Sequence, residues 1–130
     1  WLSATTAQVA LAAGNIAESE AANARALSIA SGRGDRVGRA IALRLQARLQ
    51  AQRQAIDEAI GSLESARALA AQGADLLLAA RVLVDLGDVV AARGDAARAR
   101  TAWEQARAAY VRLGMPPESL ALGRRLSDPR

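Results

Sequence analysis

The sequence predicts an all-α protein in which antiparallel helix hairpins stack on one another. Hydrophobic residues make up 52% of the 130 residues, but aromatic residues make up only 2% and alanine is the predominant apolar residue. Small side chains of this kind favour close helix-to-helix packing over a core of bulky groups. Glycine and proline lie mostly between segments of helical periodicity, and few segments alternate with period two, so strands are not expected.

The segment from Leu86 to Ala106 is the clearest hairpin. Gly94 can adopt the positive φ that ends a helix, and Asp95 can cap the helix that follows. Gly87 and Ala99 leave room for the two helices to approach closely. One apolar stripe precedes the break and another follows it, each at helical spacing: Leu83, Leu86 and Val90, then Ala99, Ala102, Trp103 and Ala106.

A spacing of 40 residues aligns the chain with itself and predicts three repeats, at about 1–34, 35–74 and 75–114. A capping helix at about 117–126 follows them, because terminal units cover the apolar end of a stack. The aligned positions are Gly14, Gln54 and Gly94 at one break, Gly34, Ala74 and Gly114 at the next, and Asn23, Leu63 and Trp103 between them.

Caps and breaks give the helix boundaries within these repeats. Asp35 and Asp75 are expected to cap helices, and Gly14-Asn15 is expected to separate the first helix from the second. The helices are predicted at about 1–13, 16–31, 36–52, 55–72, 76–93, 96–113 and 117–126.

The helix at 36–52 has two possible registers. At strict 40-residue spacing, Gln46 and Gln50 take the packing positions of Leu86 and Val90. A slip of one residue would turn Leu45 and Leu49 inward instead, and we expect that slip.

The residues Leu86-Gly87, Gly94, Ala99, Trp103 and Ala106 resemble the tetratricopeptide repeat (TPR) pattern, with Val90 where a Tyr is usual. The 40-residue length is similar to the long repeats of bacterial MalT-like regulators. The resemblance implies a right-handed superhelix that binds a peptide or protein segment on its inner face, as a scaffold or regulatory module of a signalling or transcription-regulating protein. The TPR cluster of Lys, Asn and Arg that holds a terminal carboxylate is absent in its usual form, because the chain has no Lys.

Family geometry gives the candidate partner-binding residues of the concave face. Arg44 and Arg48 share one helix face and could hold an acidic segment through charge-assisted hydrogen bonds. The alternative is that each candidate is a solvated helix charge, as Arg81 would be beside Asp85 four residues later. The full set is Thr5, Gln8, Arg44, Arg48, Arg81, Asp85, Asp88 and Arg124.

The composition argues against an enzyme. With no His and no Cys, the chain lacks the usual metal ligands and the common nucleophile–base pairs, so no catalytic residue, cofactor or metal is expected. Gly32-Arg33-Gly34 joins helices and has no phosphate-loop spacing. Trp103 occupies a packing position and is expected in the core.

Two alternatives to peptide binding remain open. All 17 basic residues are Arg and the net charge is +4, which permits binding to nucleic acid, although stacking aromatic residues are nearly absent. A self-association module, such as a homodimer formed through the first or last helix, is the second alternative. We expect a cytoplasmic protein, since there is no signal peptide, no membrane span and no Cys. Because the chain begins at Trp1, we expect it to belong to a longer protein.

Overall fold

The computed structural model describes residues 4–127, with side chains for 15–119 and 121–127. Within that range the chain forms six helices and no strand, which confirms the all-α repeat architecture. The helices are α1 (Ala4–Arg33), α2 (Arg36–Gln52), α3 (Ile56–Gln72), α4 (Leu76–Ala92), α5 (Ala96–Arg112) and α6 (Pro116–Ser127).

The five turns share one backbone geometry and recur every 20 residues. A residue with positive φ closes each turn: Gly34, Gln54, Ala74, Gly94 and Gly114. The next residue donates its N–H to the carbonyl five positions earlier, at 2.9 to 3.1 Å, which satisfies a carbonyl that the helix end would leave unpaired. Gln54 and Ala74 therefore adopt the conformation that glycine provides elsewhere.

Aspartate caps fix three helix starts. Asp35, Asp75 and Asp95 each accept a hydrogen bond from the backbone N–H three residues later, at 2.8 to 3.0 Å. These caps were all predicted, and they satisfy donors that have no partner inside the helix. α3 begins after Ala55, which has no capping side chain.

The expected break at Gly14-Asn15 is wrong, because α1 is one continuous helix from Ala4 to Arg33. The residues on both sides are alanine-rich and favour the helix, and one glycine inside a helix costs only about 1 kcal/mol relative to alanine. The first predicted hairpin is therefore a single helix, and two hairpins, α2–α3 and α4–α5, lie between α1 and α6.

The helices pack in sequence order, most extensively within the two hairpins. We call α2, α4 and α6 the A helices and α1, α3 and α5 the B helices. α2 also contacts α4, so successive A helices are neighbours. One buried cluster joins α2, α3 and α4 around Leu63, Val82 and Val90, and a second joins α4, α5 and α6 around Tyr110 and Leu122.

The expected one-residue slip in α2 is wrong for Leu45 and right for Leu49. Leu45 is 40% exposed, whereas Gln46 and Gln50 keep the strict 40-residue register, although Leu49 is buried. Both glutamine amides bond to the buried hydroxyl of Ser62 on α3, Gln46 as donor at 3.1 Å and Gln50 as acceptor at 2.7 Å. A polar triad thus occupies the positions that Leu86, Val90 and Ala102 fill with apolar groups in the next hairpin.

In the part of the chain that the structure describes, no helix is both long and apolar enough to cross a bilayer.

Candidate binding site between α2 and α4

An apolar cleft with a charged rim lies between the A helices α2 and α4. Its volume is about 120 Å³, and it is lined by Ala47, Ala51, Leu63 and Val89 together with Arg44, Arg48, Asp85 and Asp88. The four charged residues were all predicted for the concave face. The structure therefore brings half of the eight candidate residues to one cleft.

Arg44 and Asp85 link α2 to α4 across one side of the cleft. Nε of Arg44 donates to Oδ2 of Asp85 at 2.5 Å, and the two side chains are only 27% and 22% exposed. The alternative interpretation, in which Asp85 pairs with Arg81 on its own helix, is not observed, because the ion pair of Asp85 is with Arg44 of the neighbouring repeat. Partial burial makes this contact stronger than a fully solvated pair.

Asp88 links α4 to both α5 and α6. Its Oδ1 accepts hydrogen bonds from the indole Nε1 of Trp103 and from Nε of Arg125, each at 3.0 Å. Nη2 of Arg125 also donates to Oδ2 at 3.3 Å. Asp85 and Asp88 are therefore both engaged by arginines from neighbouring A helices, and they hold α2, α4 and α6 side by side.

Trp103 packs as expected from its repeat position. It is half-buried and contacts both apolar clusters, and its ring lies directly over Gly87. A Cβ at Gly87 would collide with the indole, so the small residue is required there. The indole N–H also donates a hydrogen bond to Asp88, which the repeat position of Trp103 did not predict.

Arg48 carries the uncompensated charge of the cleft. It is exposed, and it forms no ion pair with any residue in the described ranges. Its rim neighbours Asp85 and Asp88 are matched by Arg44 and Arg125. The cleft consequently presents one free guanidinium beside an apolar floor, an arrangement that suits a carboxylate next to an aliphatic group.

Arg81 and Arg124 do not line this cleft. Arg81 is exposed on α4 and its charge acts on the buried Tyr110. Arg124 is exposed on α6, and its neighbour Arg125 makes the contact with Asp88. Sequence reasoning missed Arg125 because the α6 register depends on packing against α5, and the two adjacent arginines give no signal that separates them.

Tyr110 lies beneath the charged surface next to the cleft. Burial raises the pKa of its phenol above the ordinary value, and the nearby charges of Arg81 and Arg44 oppose that rise. Tyr110 is 5% exposed and belongs to the cluster that α4, α5 and α6 share. It is a packing residue close to the site and was not among the predicted site residues.

Thr5 and Gln8 lie in the first turns of α1, and their side chains fall outside the part of the molecule that the structure describes. Their role in partner binding stays a prediction. Across the described residues, no group of His, Cys, Asp and Glu side chains is arranged to hold a metal ion.

No protein-family model matches this chain, and no curated protein is similar to it in sequence.

Proposed function

We propose that this chain is a non-enzymatic protein-interaction module that binds a peptide or protein segment in the cleft between α2 and α4. The observation that carries the proposal is the unpaired guanidinium of Arg48 beside an apolar floor. The volume of about 120 Å³ is small compared with cofactor pockets, which measure about 300 to 1,000 Å³. One side chain of a longer segment fits such a volume better than a free small molecule does.

The chemistry of the cleft selects the bound segment. Ala47, Ala51, Leu63 and Val89 provide contacts for a branched aliphatic side chain. A carboxylate one or two residues away would accept charge-assisted hydrogen bonds from Arg48. The expected ligand is therefore an acidic segment that contains Val, Leu or Ile beside Asp or Glu.

The setting proposed for this module is a larger bacterial regulator of transcription or signalling in the cytoplasm. Its support is the resemblance of Leu86-Gly87, Gly94, Ala99, Trp103 and Ala106 to the TPR pattern, together with the observed stacking of 20-residue helix-turn units. Residues that make lateral ion pairs between A helices, such as Arg44 and Asp85, would then keep the groove open at a fixed width.

Binding to nucleic acid is less well supported. Arg44, Arg53, Arg93, Arg98, Arg100 and Arg125 form ion pairs with acidic side chains of this chain. Their charges are thus partly neutralised by the fold and do not form a basic face for phosphates.

A peptide array tests the proposal. We expect the chain to retain peptides in which an aliphatic residue adjoins an acidic one, and Arg48→Glu to weaken binding of the best peptide by at least about tenfold, the value of one charge-assisted hydrogen bond. Arg107→Glu makes the same charge change at an exposed position on α5 and serves as the matched control.

Equal weakening by both variants would show that only net charge matters, and would overturn the assignment of the cleft. Random-sequence DNA and RNA, titrated at two salt concentrations, are the competing ligands. Micromolar, salt-dependent binding to either, without peptide binding, would replace the proposal by a nucleic-acid module.

A further inference from the structure

The N-terminal end of the helix stack carries a large exposed apolar surface. We call it the N-terminal apolar face; it consists of Ala22, Ala26 and Ile29 of α1 and Val37, Ile41 and Leu45 of α2. The four bulky members are 40% to 55% exposed. Helices at a protein surface usually turn bulky apolar residues towards the core, so an exposed apolar surface of this composition indicates an interaction site.

In the repeat register, the α1 residues of this face take positions that are buried in α3 and α5. Ala22, Ala26 and Ile29 correspond, at spacings of 40 and 80 residues, to positions in α3 and α5 that pack against an A helix. Those positions are Ser62, Ala66 and Leu69 in α3 and Ala102, Ala106 and Ala109 in α5, and every one of them is at most 8% exposed. On α1 the same stripe has no A helix over it within the described residues.

The α2 residues of the face include a position at which the next A helix contacts the A helix before it. Leu45 corresponds to Asp85, the residue of α4 that contacts the preceding A helix through Arg44. Val37 and Ile41 lie eight and four residues before Leu45 on one helix face. In α4 the equivalents of Val37 and Leu45, which are Leu77 and Asp85, are partly buried, whereas Arg81, the equivalent of Ile41, is exposed.

We propose that this face is the interface of a two-fold symmetric dimer, in which α1 packs antiparallel against α1 of a second copy. When Ala22 lies opposite the partner's Ile29, the reverse contact follows from symmetry. In the same register Glu18 lies opposite the partner's Arg33. All four residues fall on one face of α1, at spacings of four, seven and four.

Shape and charge both support this partner. The small Ala22 leaves a depression that the partner's Ile29 fills, and the second contact does the same, so the two helices can approach closely. Glu18 and Arg33 are exposed, and neither forms an ion pair within the described part of the chain. Two Glu18–Arg33 pairs would close the ends of the interface.

Arg25 lies at the edge of this stripe, opposite the partner's Ala26. Its aliphatic stem can extend along the interface while its guanidinium stays in water. The arrangement uses α1 as a straight helix and needs no break at Gly14. A contact of a surface with its own copy gives a closed dimer, the commonest kind of soluble oligomer.

The test is sedimentation equilibrium of the 130-residue chain over a wide concentration range. We expect a reversible monomer–dimer equilibrium, and we expect Ile29→Asp to weaken it by at least about a hundredfold, because a charge would enter each of the two apolar contacts between Ile29 and the partner's Ala22. Val111→Asp is the matched control, since Val111 is 62% exposed on α5 at the other end of the stack. Circular dichroism confirms that each variant keeps its helices.

Charge exchange tests the antiparallel register. Glu18→Arg and Arg33→Glu should each weaken self-association about tenfold, because each places like charges opposite each other twice. An equimolar mixture of the two variants should form a heterodimer as strong as the original dimer, because both pairs become complementary in it.

Three results would overturn the proposal. The first is a monomer at every concentration, as expected if another segment of the same chain covers the face. The second is loss of the dimer in Val111→Asp with retention in Ile29→Asp. The third is a mixture of the charge variants that associates no better than either variant alone.

Discussion

The contact between Gly87 and Trp103 gives the sharpest prediction about stability. A Cβ added at Gly87 would lie 3.0 Å from Cε2 of the indole and closer still to Nε1 and Cδ1. Ordinary carbon–carbon contacts are about 3.5 to 4.0 Å, so the ring must move in Gly87→Ala. Displacement of the ring also disturbs the hydrogen bond from Trp103 to Asp88.

The magnitude follows from two opposing effects. Overpacking costs about 1 to 3 kcal/mol, and the weakened hydrogen bond adds about 1 kcal/mol. Alanine returns about 1 kcal/mol through its higher helix propensity. We therefore expect Gly87→Ala to lower the free energy of unfolding by about 1 to 3 kcal/mol, which corresponds to a fall in Tm of about 4 to 11 °C.

Urea denaturation followed by circular dichroism measures this effect, and Gly61 provides the matched control. Gly61 lies inside α3, and a Cβ there would meet nothing within 4 Å. Gly61→Ala should therefore stabilise the protein by about 0.5 to 1 kcal/mol, because only helix propensity changes.

A double-mutant cycle separates the clash from other causes. In a Trp103→Ala background the ring is gone, and Gly87→Ala should become as stabilising as Gly61→Ala. If Gly87→Ala stabilises the protein while Trp103 is present, the close packing described for α4 and α5 is refuted.

Three further predictions concern the turns, the polar triad and the buried phenol. Ala74 has φ of 52°, so Ala74→Gly should stabilise the protein by about 1 kcal/mol in urea denaturation, and a loss of stability would contradict the strained turn. Ser62→Ala should lower the free energy of unfolding by about 1 to 2 kcal/mol, because the amides of Gln46 and Gln50 lose their hydrogen-bond partner. The triple variant Gln46→Leu, Gln50→Val, Ser62→Ala should be more stable than that single variant. Equal stability of the two variants would refute the role of the triad. Tyr110 is the sole tyrosine, and burial raises its pKa, so the folded protein keeps a proton that the unfolded chain loses above the ordinary pKa of 10.0. The free energy of unfolding should therefore fall as pH rises beyond that value, and it should fall less in Tyr110→Phe. A tyrosinate absorbance that titrates at the ordinary pKa would contradict this assignment.

The sequence predicts local structure well where a short-range cause suffices. Asp35, Asp75 and Asp95 cap helices because their oxygens reach donors three residues away, whatever the tertiary structure. Gln54 and Ala74 occupy turns although neither residue favours them, and the 40-residue register located both positions.

Packing decided the features that the sequence did not predict correctly. Gly14 has the same register as five real turns, but it remains inside α1, so a turn signal alone does not fold a helix back. Leu45 is exposed because the hydrogen bonds that join the amides of Gln46 and Gln50 to the Ser62 hydroxyl hold α2 in the strict register.

Long-range pairing was the hardest part of the candidate site to predict. Arg44 and Asp85 are 41 residues apart and meet only because successive A helices are neighbours. The TPR resemblance implied that both lie on the concave side, but it could not show that they neutralise each other and leave Arg48 without an ion pair among the described residues. The choice between Arg124 and Arg125 depends on a rotation of α6 that no local pattern encodes.

The constant 20-residue interval between turns has an evolutionary consequence. If 40 residues are removed or duplicated between two equivalent turns, the new junction joins a helix end to a helix start that already match in geometry. Such events would preserve the alternation of A and B helices on both sides. A protein of this kind can therefore change its length by whole hairpins without any change in the design of its loops.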